Sequence, residues 1–401
     1  MTGATIDHLA SVIIFIAALL LFISLFNQTI QTAVIYQQHR VLATKCSDLL
    51  DTMLLNPGIP VDAQPTVFGL HDINFTGYML DPFSLMRSSS STGTPVCYEK
   101  TGIMYSNTPV GFGDSLLMPI NDSNPLNNVV NYSWALEKLG ISGAYGFQLT
   151  LTPVVTFNIK AQQSDDTVTF NITASGVSFP LANAPVSYYF LPISLSGDYP
   201  VFLTTDAQAG TVTTNEIGNA TVAFSLGESC TYVFFVYTHV GGLTGVDFYA
   251  PDFSGSQRLI PFVESLSENE VLLAHSSDVP NTTSSGELNY TSAFVKLSNE
   301  NFESQDIATG EVWSGAGYAP EVINVPNYAG ILVVAYRDAS GSGGVAVMPW
   351  GVGSSAFPVA FGGNPAEQEW VATDMRQVLV NGVAYQAKLS LWSLKGVQVI
   401  G

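Results

Sequence analysis

The stretch HLASVIIFIAALLLFISLF, His8–Phe26, decides the architecture of this chain of 401 residues. From Leu9 to Phe26 it carries no charge, and as a helix it would span about 27 Å at 1.5 Å per residue, close to the thickness of a bilayer core. A cleavable secretory signal usually has basic residues before its apolar run and a small-residue cleavage site after it, and neither is present. We therefore expect this segment to stay with the chain as a helix.

The sequence that follows, NQTIQTAVIYQQHRVLATKCSDLLDTMLLNPG, extends the helical pattern. Pro57 and Gly58 then end it, because proline cannot continue a helix and glycine caps one. The pattern predicts one helix from about Ile6 to Leu55, roughly 75 Å long. Its second half is amphipathic, so either the head of the same chain or neighbouring copies must cover an apolar stripe, whose residues recur largely at spacings of three and four: Ile30, Val34, Val41, Leu42, Cys46, Leu49, Leu50, Met53 and Leu54.

The composition indicates a cell-surface protein. Twelve Lys and Arg face 32 Asp and Glu, which gives a formal charge of −20, and only 11% of residues are charged against about 25% in an average soluble domain. So few basic residues exclude a nucleic-acid partner, because phosphate binding needs clustered Lys and Arg. We expect Asn27 to be bare, and we expect sugar on the seven Asn-x-Ser/Thr sequons beyond the helix: Asn74, Asn121, Asn131, Asn171, Asn219, Asn281 and Asn289.

The start of the chain, MTGATIDHLASVIIF, resembles the type IV pilin superfamily, including archaeal pilins and archaellins. The resemblance implies a short leader ending near Gly3, an apolar helix and a globular head. It also implies that Asp7 neutralises the terminal amine of a neighbouring subunit; the alternative is a solvated acid favoured by the helix dipole. No basic residue precedes this helix, which departs from the family pattern. The helix would contact other copies through Leu9, Ile13, Ile16, Leu20, Ile23, Val34 and Val41.

Beyond the helix the sequence predicts an α+β fold with a mainly-β head. The helix takes residues 1–58, an irregular linker and the start of the head take 59–145, an Ig-like β-sandwich takes 146–253 and a second β-rich domain takes 254–401. Strand rhythm from GVSFPLANAPVSYYF to TTDAQAGTVTTNEIGNATVAF resembles the Ig-like modules of bacterial and archaeal surface adhesins. The dipeptide Asn381–Gly382 predicts a type I′ hairpin turn.

The sequence offers no complete catalytic or metal-binding set. GDSL at Gly113–Leu116 matches the serine motif of an esterase family, but that family also needs an Asp-x-x-His dyad, which the chain lacks. The histidines are scattered, so we expect neither a metal nor a cofactor. Two hypotheses stay open for the cysteines: a Cys46–Cys97 disulfide, or buried free thiols.

These patterns favour a non-enzymatic structural subunit of an extracellular filament. The helices would form a homopolymer core after an initial stay in the membrane, and glycosylated β-rich heads would face outward for surface attachment. The alternative is a monomeric, membrane-anchored surface glycoprotein whose Ig-like modules bind a partner. A surface or carbohydrate ligand fits either hypothesis, but no residue is assigned to it.

Overall fold

The computed structural model of the chain describes residues 2–57, 68–88, 95–106, 117–124, 128–164, 166–251, 257–279, 286–298, 301–351 and 359–394, with side chains from His8 onward along the first helix. That helix, α1, runs without a break from Thr2 to Leu55. It confirms the prediction of one long helix, and it stops at the residue before Asn56–Pro57. Two short helices follow, α2 at Pro82–Ser88 and α3 at Tyr132–Lys138.

Strands make up most of the described residues that remain. In chain order they are β1 Met79–Leu80, β2 Val96–Tyr98, β3 Ile103–Tyr105, β4 Tyr145–Pro153, β5 Thr156–Ser164, β6 Thr167–Ser175, β7 Pro185–Ser194, β8 Val201–Phe202, β9 Gln208–Thr213, β10 Asn219–Ser225, β11 Cys230–Val240, β12 Leu243–Tyr249, β13 Leu259–Ser265, β14 Glu270–His275, β15 Glu287–Ser298, β16 Asn301–Trp313, β17 Glu321–Asn324, β18 Gly330–Asp338, β19 Gly343–Trp350, β20 Val359–Gly362, β21 Val371–Val380 and β22 Val383–Ser393.

The base of the head is a sheet of order β1-β21-β22-β4-β20 that packs against the last turns of α1. The hairpin β21–β22 turns at Asn381 and Gly382, which have φ values of 47° and 82°. Positive φ at both positions is what a type I′ turn requires, so the hairpin predicted from this dipeptide is confirmed. Strand β4 pairs with β22 and β20, so the segments on either side of the intervening 154–358 meet in one sheet.

Two β-sandwiches lie between β4 and β20, and they share one topology. In the first, β10-β6-β5 faces β12-β11-β7, with β9 beside β7; in the second, β13-β14-β17 faces β16-β15-β18-β19. We number the strands within each sandwich in chain order and leave out the two-residue β8. In both sandwiches the first, second and fifth strands form one sheet, and the fourth, third, sixth and seventh strands form the other. Both are immunoglobulin-like, so the head contains the same architecture twice in tandem.

The two sandwiches are joined face to face by a third hydrophobic core. Along β11, Phe234 and Val236 point into the first sandwich, whereas Val233 and Phe235 point out of it toward the second. Strand β18 does the same, because Leu332 and Val334 lie inside the second sandwich whereas Ile331, Val333 and Ala335 lie in the shared core. A strand that is buried on both faces appears in the sequence as a nearly continuous apolar run. This burial explains why CTYVFFVYTHV and AGILVVAY are mostly apolar.

Two sequence-based boundaries need correction. The stretch GFQLTLTPVVTFNIKA falls inside the Ig-like unit predicted at 146–253, but it contains β4 and β5, which belong to different sheets. The chain leaves the base at Val154–Val155, so the first sandwich spans Thr156–Tyr249. The final hairpin, interpreted as part of the second domain at 254–401, belongs to the base. Alternation of polar and apolar residues shows that a strand has two different faces, but it does not show which sheet the strand joins.

Phe235→Ala tests whether the two sandwiches are one cooperative unit. Phe235 is fully buried, 6.2 Å from the ring of Tyr189 and 5.8 Å from that of Phe302. We expect the free energy of unfolding to fall by about 3–5 kcal/mol. Residues 156–249 contain no tryptophan, so a lower denaturation midpoint in tryptophan fluorescence would report coupling to the rest of the head. An unchanged fluorescence midpoint together with a lowered circular-dichroism midpoint would contradict cooperative unfolding of the two sandwiches. The comparison variant is Phe170→Ala, because Phe170 lies in the core of the first sandwich alone.

Candidate assembly surface

The candidate site is the part of α1 that the head does not cover. The predicted assembly residues are all solvent-exposed: Leu9 by 66%, Ile13 by 59%, Ile16 by 49%, Leu20 by 61%, Ile23 by 54%, Val34 by 42% and Val41 by 54%. Their exposed neighbours surround the whole helix between Leu9 and Phe26: Val12, Ile14, Phe15, Leu19, Leu21, Phe22 and Leu25. The helix is long and apolar enough to cross a membrane. The side chain of Asp7 lies outside the described residues.

This exposed surface is too apolar to stay in water. Burying one large aliphatic or aromatic side chain is worth about 1.5–3 kcal/mol, so the helix between Leu9 and Phe26 would gain on the order of 20 kcal/mol by leaving water. No charged side chain interrupts it. A bilayer, other copies of the helix, or first one and then the other could supply the cover.

The amphipathic stripe below the apolar segment is divided between two environments. Cys46, Leu50 and Leu54 are fully buried against β21 and β22. Higher on the same stripe Ile30, Val34 and Val41 remain 46%, 42% and 54% exposed. The head of the same chain therefore covers the stripe from Leu42 to the C-terminal end of the helix, and the part of the stripe before Leu42 is left exposed.

Arg376 on β21 fixes the helix to the head through ionic contacts. Its Nε lies 3.0 Å from Asp51 Oδ1 and its Nη2 donates to Asp51 Oδ2 at 3.3 Å and to Ser47 Oγ at 3.0 Å. On the other side Nη1 lies 2.9 Å from Asp374 Oδ2, and Tyr78 donates its hydroxyl to Asp51 Oδ1 at 2.9 Å. One guanidinium thus joins two carboxylates, which places α1 in a defined register on the sheet.

Two pKa shifts follow from this junction. Hydrogen bonds to Asp51, with smaller contributions from Tyr78 and Asp374, raise the pKa of Arg376, so it stays charged. Burial alone would raise the pKa of Asp374, but hydrogen bonds involving Ser47, the Met375 amide and Arg376 outweigh it and lower that pKa.

Rings and a cation complete the junction where the helix leaves the head. The His39 ring meets Trp370 edge-on with centroids 4.3 Å apart, and Lys45 Nζ lies 4.5 Å from the centroid of the Tyr145 ring. A groove opens beside them, lined partly by Val34, Val41 and Trp370. Arg376, Trp370 and Tyr145 were not identified from the sequence, since they lie far from α1 along the chain and only the fold brings them to it.

The cysteines do not form the predicted Cys46–Cys97 bridge, and all three are free. Cys46 is buried in the base, where its thiol points to the carbonyl oxygen of Leu389 at 3.5 Å, whereas Cys97 lies in β2, a strand of a different core. Burial, together with the nearby Asp374 charge, raises the pKa of the Cys46 thiol to about 11. Cys46 is therefore protonated near neutral pH and serves as a packing residue.

The remaining predicted sites are dispersed. Asn74, Asn121, Asn131, Asn171 and Asn219 are exposed, as is Asn27 on the helix, whereas Asn289 is half-buried in β15. Asn281 and the serine of GDSL, Ser115, lie outside the described residues. Among the described residues no three His, Cys, Asp or Glu side chains are grouped so that they could hold a metal ion.

Comparisons with known proteins assign no family. No family model matches the chain, and no curated protein matches it in sequence. Among solved structures, trypsin-activated α2-macroglobulin from Escherichia coli is 9% identical with a TM-score of 0.22, covering 56% of this chain and 18% of that one. Red sea bream transglutaminase is 9% identical with a TM-score of 0.19, covering 62% and 37%. The chain spans under two fifths of the length of either protein, and such TM-scores carry no argument about function.

Arg376→Ala tests the junction. Removing the guanidinium leaves Asp51 and Asp374 without their shared partner, and because these groups are partly exposed we expect a loss on the order of 1 kcal/mol. Amide hydrogen exchange between Leu42 and Leu54 should quicken, while Arg40→Ala, an exposed arginine on the same helix, should leave it unchanged. Equal exchange in both variants would show that apolar packing alone holds the helix.

The junction should also weaken in acid. The pKa of Asp374 is lower in the folded protein than the value of about 3.9 in an unfolded chain, so its contribution is present above about pH 4 and is lost as the pH falls through the folded pKa. Hydrogen exchange of the same helical amides between pH 5 and pH 2.5, corrected for intrinsic rates, measures the effect. Asp374→Asn should flatten the dependence, and an unaltered profile would assign it to other carboxylates.

Proposed function

We propose that this chain is a structural subunit of an extracellular, type IV pilus-like filament. The apolar helices assemble into the filament core, and the β-rich heads lie outside it. The observation that carries the proposal is the length of helix left uncovered. From His8 to Val41 it extends about 50 Å, whereas a bilayer core is about 30 Å thick.

The exposed residues beyond Phe26 support helix-to-helix packing. Ile30, Val34 and Val41 lie above the part of the stripe that the head buries, and a simple membrane anchor gives them no partner. In a staggered bundle, neighbouring helices would cover them. The pilin-like start of the chain, with Asp7 near the beginning of the helix, supports the same assignment.

The function proposed for the head is display. Its two sandwiches share a core, so they form a stiff body, and the base ties that body to the helix. We propose no catalytic role for the chain. Heads arrayed on a filament would present their outer surfaces to other cells, to surfaces or to carbohydrates.

A membrane-anchored, monomeric surface glycoprotein is the second candidate. It is favoured by the length of the fully apolar segment, because Leu9–Phe26 matches one bilayer crossing. In that case only Ile30 would lie at the membrane surface, and Val34 and Val41 would lie beyond it. Chemical crosslinking between cysteines introduced at positions 30 and 34 in intact cells separates the candidates, because only packed helices give ladders of crosslinked copies.

Ile16→Asp is the direct test of the filament. An unpaired charge in a helix bundle costs several kcal/mol, so we expect filaments to disappear from electron micrographs of the cell surface. Gln162→Asp, which adds the same charge on the outer face of the head, should leave them intact. Because Ile16→Asp also hinders membrane insertion, the membrane fraction must be measured in parallel. Normal filaments from membrane-localised Ile16→Asp would exclude close packing of this segment.

A further inference from the structure

Two glycosylation sequons lie side by side on the outer face of the first sandwich. Asn171-Ile-Thr173 is in β6 and Asn219-Ala-Thr221 is in the neighbouring antiparallel strand β10. Their register places Asn219 opposite Thr173 and Thr221 opposite Asn171. The asparagine of each sequon therefore faces the threonine of the other, although 48 residues separate the two asparagines in the chain.

Hydrogen bonds connect the two sequons in both directions. Thr173 Oγ1 donates to Asn219 Oδ1 at 2.9 Å, and Thr221 Oγ1 donates to Asn171 Oδ1 at 3.0 Å. Both asparagines are exposed. The bonds hold the amide oxygens between the strands, and no hydrogen bond to a described residue engages either Nδ2. The Nδ2 atom is the one to which an N-linked sugar attaches.

The residues around the two sequons leave both asparagines exposed to solvent. Phe170, Ile172 and Ala220 lie on the inner face of the two strands and are buried in the first sandwich, so a slip of register by one residue would expose them. The outer positions of the adjoining strand β5 are the exposed residues Asn158, Lys160 and Gln162. The outer face of β5 beside the two sequons is therefore polar.

Asn289 offers the opposite geometry. It is half-buried where the two sandwiches meet, and its Nδ2 donates to the Asp198 carbonyl oxygen of the first sandwich at 2.9 Å. Thr291 of the same sequon donates its hydroxyl to the Pro200 carbonyl oxygen at 2.7 Å. A sugar on Asn289 would lie in the seam between the sandwiches and force the Asp198–Pro200 segment away.

We propose that Asn171 and Asn219 form a paired N-glycosylation site that presents two glycans side by side, and that Asn289 is bare in the folded head. In the reaction Nδ2 attacks C1 of a glycan carried on a lipid phosphate or pyrophosphate. The N–C1 bond forms as the C1–O bond breaks, Nδ2 loses a proton and the lipid phosphate leaves. Each Oδ1 stays an acceptor, so both cross-strand hydrogen bonds persist in the glycosylated sheet.

Intact-mass spectrometry of the full chain, purified from its native host, tests the pair. Asn171→Gln and Asn219→Gln should each lower the mass by one glycan, and the double variant should lower it by two. Thr173→Ser keeps both the sequon and the hydroxyl, so it should keep both glycans. Asn289→Gln should change the mass by the substitution alone. Glycopeptide analysis of the unaltered chain gives the same assignment if a variant fails to accumulate.

The proposal would be overturned if Asn171→Gln or Asn219→Gln changed the mass by the substitution alone, or if Asn289→Gln lowered the mass by a glycan. The proposal rests on the extracellular location in the proposed function. A chain bare at every sequon would therefore overturn the paired site and count against export as well. Electron microscopy of the same cells distinguishes a failure of the paired site from a failure of the assembly role. If both glycans are present but the cells carry no filaments, the result counts against the assembly role alone.

Discussion

The packing of the last turns of α1 on the hairpin β21–β22 is the contact on which the rest of the molecule depends. This packing buries Cys46, Leu50 and Leu54. Arg376 adds ionic contacts, which are directional, whereas apolar packing is not. Because the sheet ends near Leu42, the described apolar residues of the helix before it, from Leu9 to Val41, stay largely exposed. The same contact that anchors the head therefore leaves a long apolar helix for another environment.

The way the chain returns to its base explains how the head can be both long and stiff. Strand β4 leaves the base, two sandwiches follow, and β20 pairs again with β4. Both ends of the tandem pair are thus held by one sheet, which itself packs on α1. The core shared by Phe235 and Val333 removes the hinge that a linker between two separate sandwiches would create. A force applied through the helix would reach a single connected body.

Local signals determined which elements could be predicted from the sequence. The helix was predicted because no Gly or Pro interrupts its apolar pattern before Pro57, and the last hairpin because Asn381 and Gly382 both accept positive φ. Long-range pairing gives no such signal, so the separation of β4 from β5 and the partners of Arg376 emerged only from the fold. The apolar residues of the assembly surface were predictable by composition, whereas the point at which the head stops covering them was not.

The stretch between the apolar segment and the head has the chemistry of a surface that can lose water at little cost. Before Arg40 its polar residues are Asn, Gln, Thr, Tyr and His, with no Asp, Glu, Lys or Arg. Thr29 Oγ1 donates to the Leu25 carbonyl oxygen and Thr32 Oγ1 to that of Gln28, each at 2.9 Å, so both hydroxyl hydrogens already have acceptors inside the helix. Charged side chains at these positions would have to be desolvated before two helices could approach. Uncharged side chains lower that barrier, and Thr29 and Thr32 lower it further because their hydroxyl groups are already bonded within the helix.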